Sequence, residues 1–243
     1  MTEPKRTLSV IAHYRCGLPE KFGVPRQSGL VPNLEGRVVF TPAYRSPEAL
    51  RGLEGFSHLW LLWDFSENGE REGNWSPTVR PPRLGGNRRV GVFATRSPNR
   101  PNPIGLSCVS LLAVEEVPGL GLTLRVGGGD LTDGTPIYDI KPYLPFTDSR
   151  PEAKGGFADR VLGYALDVNV PDEIRRARPD AFWEAVCSLL AQDPRPSYQK
   201  DPDRIYGMKY EKSEIRFRVA DGCAFVISVS EDETAEGNSG GFL

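Results

Sequence analysis

Short apolar runs, several with every second position hydrophobic, dominate the first two thirds of the chain. TLSVIAHY (residues 7–14), GRVVF (36–40), FSHLWLLWDF (56–65), RRVGVFAT (88–95), LSCVSLLAVEEV (106–117) and LTLRV (122–126) are rich in Val, Leu and aromatic residues. These runs predict strands, and the Gly, Pro, Asn and Asp clusters between them predict turns. Without long helices between them, such strands predict a barrel or sandwich rather than a doubly wound sheet. SPEALRGL (46–53) predicts one brief helix, with Ser46 as N-cap and Pro47 at the first helical position. After Ser149 the stretch SRPEAKGGFADR reads as a linker. RVLGYALDVNV (160–170) is then expected as strand and 171–193 as helix. Pro179 starts a second helix there, turning Phe182, Trp183, Val186, Leu189 and Leu190 to one face. RIYGMKY, EIRFRVA and CAFVISVS supply the last strands. The expected fold is mainly β, with a β-barrel over 1–150, a small α+β domain over 151–230 and a disordered tail over 231–243.

An apolar content of 39% over 243 residues is enough for a real core and excludes wholesale disorder. The N-terminus lacks a cleavage-site pattern and no run approaches a membrane span, so a cytoplasmic protein away from the membrane is expected. Cysteines 16, 108, 187 and 223 share no close spacing and suggest neither a metal knuckle nor a disulfide framework. Cys108 and Cys187 lie in apolar runs and read as small buried hydrophobes. The two histidines, His13 and His58, have no partner at ligand spacing, so no metal site is expected. His58 sits among aromatics and reads as a core residue ahead of a base.

Charge changes this picture at one place. Between Arg80 and Ile104 there are six arginines and no Asp, Glu or Lys, in a chain whose formal net charge is −2. Guanidinium groups grip phosphate or carboxylate at two points and stack on flat rings. The cluster therefore points to an anionic partner, nucleic acid ahead of a small metabolite, with a charged surface loop as the plain alternative. Three proline- or glycine-stiffened segments stand out beside it: Val24–Gly29, Ala94–Ser107 and Asp133–Tyr143. Rigid presentation of polar groups lowers the entropy lost on capturing a ligand. In the third segment Asp139, Lys141 and Tyr143 alternate, so a strand would put all three on one face. A structural turn or an exposed strand face is the alternative for each. Gly127–Gly129 is followed by turn and strand chemistry, not a helix, and reads as a bulge or tight turn rather than a Rossmann loop.

PRQSGL, GLEGFSHLWLL, PTVRPPRLGGN, VGVFATRSPNRPNPIGLS and DGTPIYDIKPYLP, in that order, resemble the tRNA methyltransferase O (TsaA-like) family; LAQDPRPSY resembles its smaller second domain. The resemblance implies methyl transfer from S-adenosylmethionine to N6 of N6-threonylcarbamoyladenosine beside the tRNA anticodon. It implies a β-barrel, non-Rossmann methyltransferase domain and a homodimer. It places cofactor contacts at Pro25, Arg26, Gln27, Ser66, Glu67, Arg96, Leu106, Leu131, Thr132, Asp133, Gly134 and Thr135. The catalytic candidates are Asp139, Lys141 and Tyr143. Asp139 or Tyr143 would take the N6 proton, while Lys141, Arg96 or Arg100 would stabilise charge on the carbamoyl carbonyl. Expected tRNA contacts are Arg80, Arg83, Arg88 and Arg100, with Asp193, Arg195 and Tyr198 in a second-domain turn that equally serves to cap the preceding helix. Two alternatives remain open: an RNA- or nucleoside-binding module without catalysis, and a methyltransferase with a different acceptor.

Overall fold

The computed structural model describes residues 7–66, 75–81, 88–161, 163–196, 198–199 and 201–232. The first eight strands are β1 (Ala12–Cys16), β2 (Glu35–Phe40), β3 (His58–Asp64), β4 (Thr78–Val79), β5 (Val90–Gly91), β6 (Ile104–Val117), β7 (Gly121–Gly127) and β8 (Pro136–Pro142). β1, β2, β7, β6, β3 and β8 pair antiparallel in that order, and β8 returns to β1 to close a barrel. The alternation of the sequence decides which side chains face in. Ala12, Tyr14 and Cys16 of β1, and Leu59, Leu61 and Trp63 of β3, are buried. Two glycines make room for Tyr14. A Cβ on Gly36 or Gly129 would lie 2.1 or 2.2 Å from its hydroxyl oxygen, closer than any real contact, so this interior admits a tyrosine only opposite glycine.

The rest of the chain adds α1 (Pro145–Asp148), β9 (Asp167–Asn169), α2 (Asp172–Arg175), α3 (Asp180–Ala191), β10 (Tyr206–Tyr210), β11 (Ser213–Ala220) and β12 (Cys223–Glu231). These strands form a sheet ordered β10-β11-β12-β9, in which β9 runs parallel to β12. α3 buries Phe182, Trp183, Val186, Leu189 and Leu190, the face its spacing requires. The second sheet packs directly on the loop after β1. Phe22 stacks on Tyr206 and on Phe217, with centroids 6.4 Å apart in each pair. The Glu211 N–H donates to the Gly17 carbonyl at 2.6 Å. One hydrophobic core runs through both sheets.

Several local expectations differ from the structure. β1 begins only at Ala12. Residues 46–53 form a single 3-10 turn, Pro47–Leu50, without a side-chain cap from Ser46, and Gly52 at φ +85° ends it. RRVGVFAT is strand only at Val90–Gly91, because the chain enters a 3-10 turn at Val92, closed by the Thr95 N–H on the Val92 carbonyl at 3.0 Å. Among the described residues of 160–170 only β9 is strand, preceded by a 3-10 turn and Gly163 at φ +78°. β12 continues through Glu231, and Asp232 N–H still donates to the Lys212 carbonyl; the rest of the expected tail lies outside the described residues. His58 is exposed rather than core, hydrogen-bonded to Ser57 Oγ at 2.9 Å. Cys108 and Cys187 are only half-buried. Gly128, at φ +77°, makes the glycine triplet a tight turn. Among the described residues no helix is long and apolar enough to cross a membrane.

Candidate functional site

A cavity of about 470 Å³ opens where the loop after β1, the end of β3, the Arg96–Arg100 loop, the start of β6 and the loop before β8 converge. Its apolar walls include Val24, Pro25, Phe65, Ile104, Leu106 and Leu131. Its charged groups are Lys21, Arg26, Arg96, Arg100, Asp64 and Asp130. A volume of this size with apolar walls and a few fixed polar groups is that of a small-molecule site.

The wall is fixed by tryptophan on glycine. The Trp63 ring lies so close over Gly105 that a Cβ there would be 2.1 Å from the ring. Trp63 Nε1–H donates to Ser107 Oγ at 2.9 Å, and the Ser107 hydroxyl donates to Asp130 Oδ1 at 2.5 Å. Burial pushes the Asp130 carboxyl up from its ordinary value, against the Ser107 hydroxyl, its own and the Ser28 backbone N–H, and Arg96. The other carboxylate of the cavity, Asp64, accepts from the Tyr138 hydroxyl; burial raises that phenol most, followed by the charge of Asp64 and then this bond.

On the opposite wall the polar groups hold one another. Arg96 Nη1 donates to Gln27 Oε1 at 2.5 Å, and Gln27 Nε2 donates to the Arg26 carbonyl at 2.5 Å. Arg26 Nη2 reaches across to the backbone carbonyls of Arg195 at 2.9 Å and Asp193 at 3.4 Å. Asp193 sits in the left-handed region at φ +50°, and its carboxylate takes Arg195 Nε at 2.8 Å and the Tyr164 hydroxyl at 2.8 Å. Burial raises the Asp193 carboxyl, but the bonds from Arg195 and Tyr164 outweigh it and hold the group below its ordinary value. Asp193 and Arg195 are therefore an inward-facing, mutually neutralising pair whose carbonyls hold Arg26, not a surface presented to an anion.

Of the cofactor positions expected from sequence, Pro25, Arg26, Gln27, Ser66, Arg96, Leu106, Leu131, Thr132 and Thr135 line the cavity. Asp133 and Gly134 do not. The Asp133 carboxylate accepts Cys16 N–H at 3.0 Å and pairs with Arg15 at 3.5 Å, and Gly134 turns the chain at φ +80°. Both shape the loop that carries their neighbours. Glu67 and Arg83 lie outside the described residues. Arg80 and Arg88 are exposed, whereas Arg100 spends its guanidinium on the carbonyls of Val92, Thr95 and Ser97 in its own loop. Tyr198 is 69% exposed. Trp75 and Phe93 stack 6.2 Å apart and are both exposed.

Asp139, Lys141 and Tyr143 do share a face, but it is the outer face of β8, and none of them lines the cavity. Asp139 and Lys141 pair at 2.8 Å, and Tyr143 packs against His58 and Trp60 with centroids 6.1 and 5.8 Å apart. This face connects to the cavity rim across β3, where Leu62 sits between Asp139 and Leu106. Sequence reasoning missed Asp64 and Asp130. The string showed a carboxylate at the end of an apolar strand and another directly after three glycines, but neither position says on its own that it faces a cleft.

Among the described residues, fold and cavity together define a β-barrel with a small-molecule cavity that has apolar walls and groups of both charges. Two family models match the chain: the tRNA-methyltransferase O N-terminal domain over residues 13–149 and the TrmO C-terminal domain over residues 167–232. The tRNA (adenine(37)-N6)-methyltransferase of Escherichia coli K12 is 44% identical over 215 residues, 85% of this chain and 90% of that one. A protein of the same name from Eikenella corrodens is 48% identical over 72% of this chain and 97% of its own. The crystal structure of TrmO from Pseudomonas aeruginosa superposes with a TM-score of 0.74 at 32% identity, covering 93% of this chain and 99% of that one. This chain belongs to the tRNA-methyltransferase O family.

Proposed function

We propose that the protein methylates N6 of adenine 37 in tRNA with S-adenosylmethionine as donor, and that the acceptor is the N6-threonylcarbamoyl form of that adenine. The relatives' names support the tRNA and donor assignments. The observation that carries the reading for this chain is the cavity itself, which gathers nine residues expected on the donor into one space of nucleoside size. The donor set fits: apolar walls suit an adenine ring, and the cations and carboxylates of the lining suit a zwitterionic amino-acid end.

S-adenosylmethionine supplies a methyl group already activated on a sulfonium. The chain's task is then to orient and to exclude water. Arg26, Gln27 and Arg96 form a braced polar wall, while Trp63, Phe65, Leu106 and Leu131 keep the space dry. The acceptor nitrogen is conjugated to the purine and the carbamoyl carbonyl, so removal of its proton assists attack. Asp139 and Tyr143, on the face adjoining the rim, remain our candidates for that proton, with Lys141 stabilising carbonyl charge. We assign the arginine cluster to phosphates and to the threonine carboxylate, residues 1–150 to the methyltransferase domain and 151–230 to a second domain, and the protein to the cytoplasm.

We further infer a homodimer formed through the outer face of β3, β6 and β8. Apolar side chains stand exposed there, Leu106 at 47% and Phe146 at 84%, and Trp60 donates to Asp148 of α1 across it. Phe146→Glu should convert a dimeric mass in light scattering to a monomeric one; a wild-type monomer sinks this part of the reading. The activity is tested by nucleoside mass spectrometry of threonylcarbamoylated tRNA incubated with protein and S-adenosylmethionine. A methyl-mass gain confined to that nucleoside is expected. Donor binding with no gain would reject the acceptor.

A further inference from the structure

We propose that Asp130 binds the ammonium group of the amino-acid end of S-adenosylmethionine, held in place by the Trp63–Ser107 hydrogen-bond chain. This rests on reading the cavity as the donor site. The direction of the chain is fixed by its first member: an indole N–H only donates, so the Ser107 oxygen accepts from Trp63 and its hydrogen is left for Asp130. The geometry thus turns only donors toward Asp130 and sets its carboxyl group on the cavity wall. A hydroxyl committed in this way is not available to a ligand, whereas the carboxylate still has acceptor sites.

The protein's own donors to Asp130, the Ser107 hydroxyl and two backbone N–H groups, are all neutral. Among the described residues no lysine or arginine pairs with it; Arg96 acts on it through space while giving a hydrogen bond to Gln27. A half-buried anion without a counterion is costly, and a cation delivered by the ligand removes that cost. Asp64, the other cavity carboxylate, already takes the Tyr138 hydroxyl. The donor molecule offers four kinds of partner to Asp130: the adenine amino group, ribose hydroxyls, a sulfonium and an ammonium. The amino group and the hydroxyls are neutral, and the sulfonium has no N–H or O–H to donate. Only the ammonium combines charge with N–H donors, which makes the stronger, charge-assisted bond.

The test compares three ligands by calorimetry on the full chain: S-adenosylmethionine, S-adenosylhomocysteine and 5′-methylthioadenosine. The last keeps adenine, ribose and sulfur but has no amino-acid end. Asp130→Asn should weaken the first two by roughly ten- to one-hundredfold and leave the third unchanged. Ser107→Ala should show the same selectivity with a smaller loss. The ratio of homocysteine to methylthio ligand affinity is read within one variant, so it is insensitive to partial unfolding. Equal weakening of all three, or none, overturns the assignment while leaving the cavity as the donor site. Failure of the wild-type protein to bind S-adenosylmethionine or S-adenosylhomocysteine overturns both readings.

Discussion

Gly105 and Trp63 show how little freedom single positions around the cavity have. The indole covers the glycine, and its N–H begins the bond chain that ends on Asp130. Gly105→Ala forces the ring outward against neighbours already in contact. Overpacking of this kind costs about 1–3 kcal/mol, a fall of roughly 2–12 °C in melting temperature for a chain of this size. Because the ring must move, the variant should also lose donor affinity, which a titration of tryptophan fluorescence would read. Unchanged melting and affinity would mean that the wall is softer than described. Residue identity carried part of this message in the sequence: PRQ, ATRSPNRPNPIGL and the DGT turn were legible as constrained loops. Asp130 was not, because nothing in a linear string says that a carboxylate after three glycines faces a cleft formed by residues 25 and 96.

Among the elements, the turn at Asp193–Arg195 caps α3: Asp193 takes the left-handed position where glycine is usual, its N–H donates to the Leu190 carbonyl at 3.0 Å, and the charge pair with Arg195 reinforces it. Its aspartate is depressed in the folded state, so it contributes stability above its unfolded value near pH 4 and loses that contribution as pH falls through the folded value. Asp193→Asn should therefore flatten the acid limb of stability against pH below about pH 4, measured by urea unfolding. A wild-type-like acid limb in the variant would dismiss the pair as a stabilising element. Strands were the most readable elements because a buried barrel face repeats every second residue. The failures cluster where partners were needed. RRVGVFAT alternates well but finds only Thr78 and Val79 to pair with, and residues 160–170 keep only the three positions that meet β12. The alternation of Asp139, Lys141 and Tyr143 was read correctly as one face, but periodicity does not say whether that face is inside or outside a barrel.

For the molecule as a whole, charge is distributed asymmetrically: a chain of net charge −2 carries an arginine-rich stretch whose Arg96 and Arg100 line the cavity. Binding to tRNA should weaken steeply with salt, as counterion release demands. Replacing the exposed Arg80 and Arg88 together should reduce the slope of log affinity against log salt by about 1–2, in filter binding across a potassium chloride series. An unaltered slope would remove these two arginines from the interface. The mainly β character was readable at this scale, whereas the single core through both sheets was not, since it depends on Phe22 meeting Tyr206 and Phe217 across some 180 residues of sequence.

The grip of the Asp193 and Arg195 carbonyls on Arg26 makes the two sheets thermodynamically reciprocal. If closing that turn raises affinity in the cavity, then filling the cavity must stabilise the turn by the same free energy. S-adenosylmethionine should thus slow amide hydrogen exchange at residues 193–196 and in β10, which make no part of the cavity lining, and Arg26→Ala should abolish that distant protection while slowing at the cavity persists. The second sheet then becomes a remote reporter of whether the barrel is charged with donor, a signal that an incoming tRNA could sense without touching the cofactor.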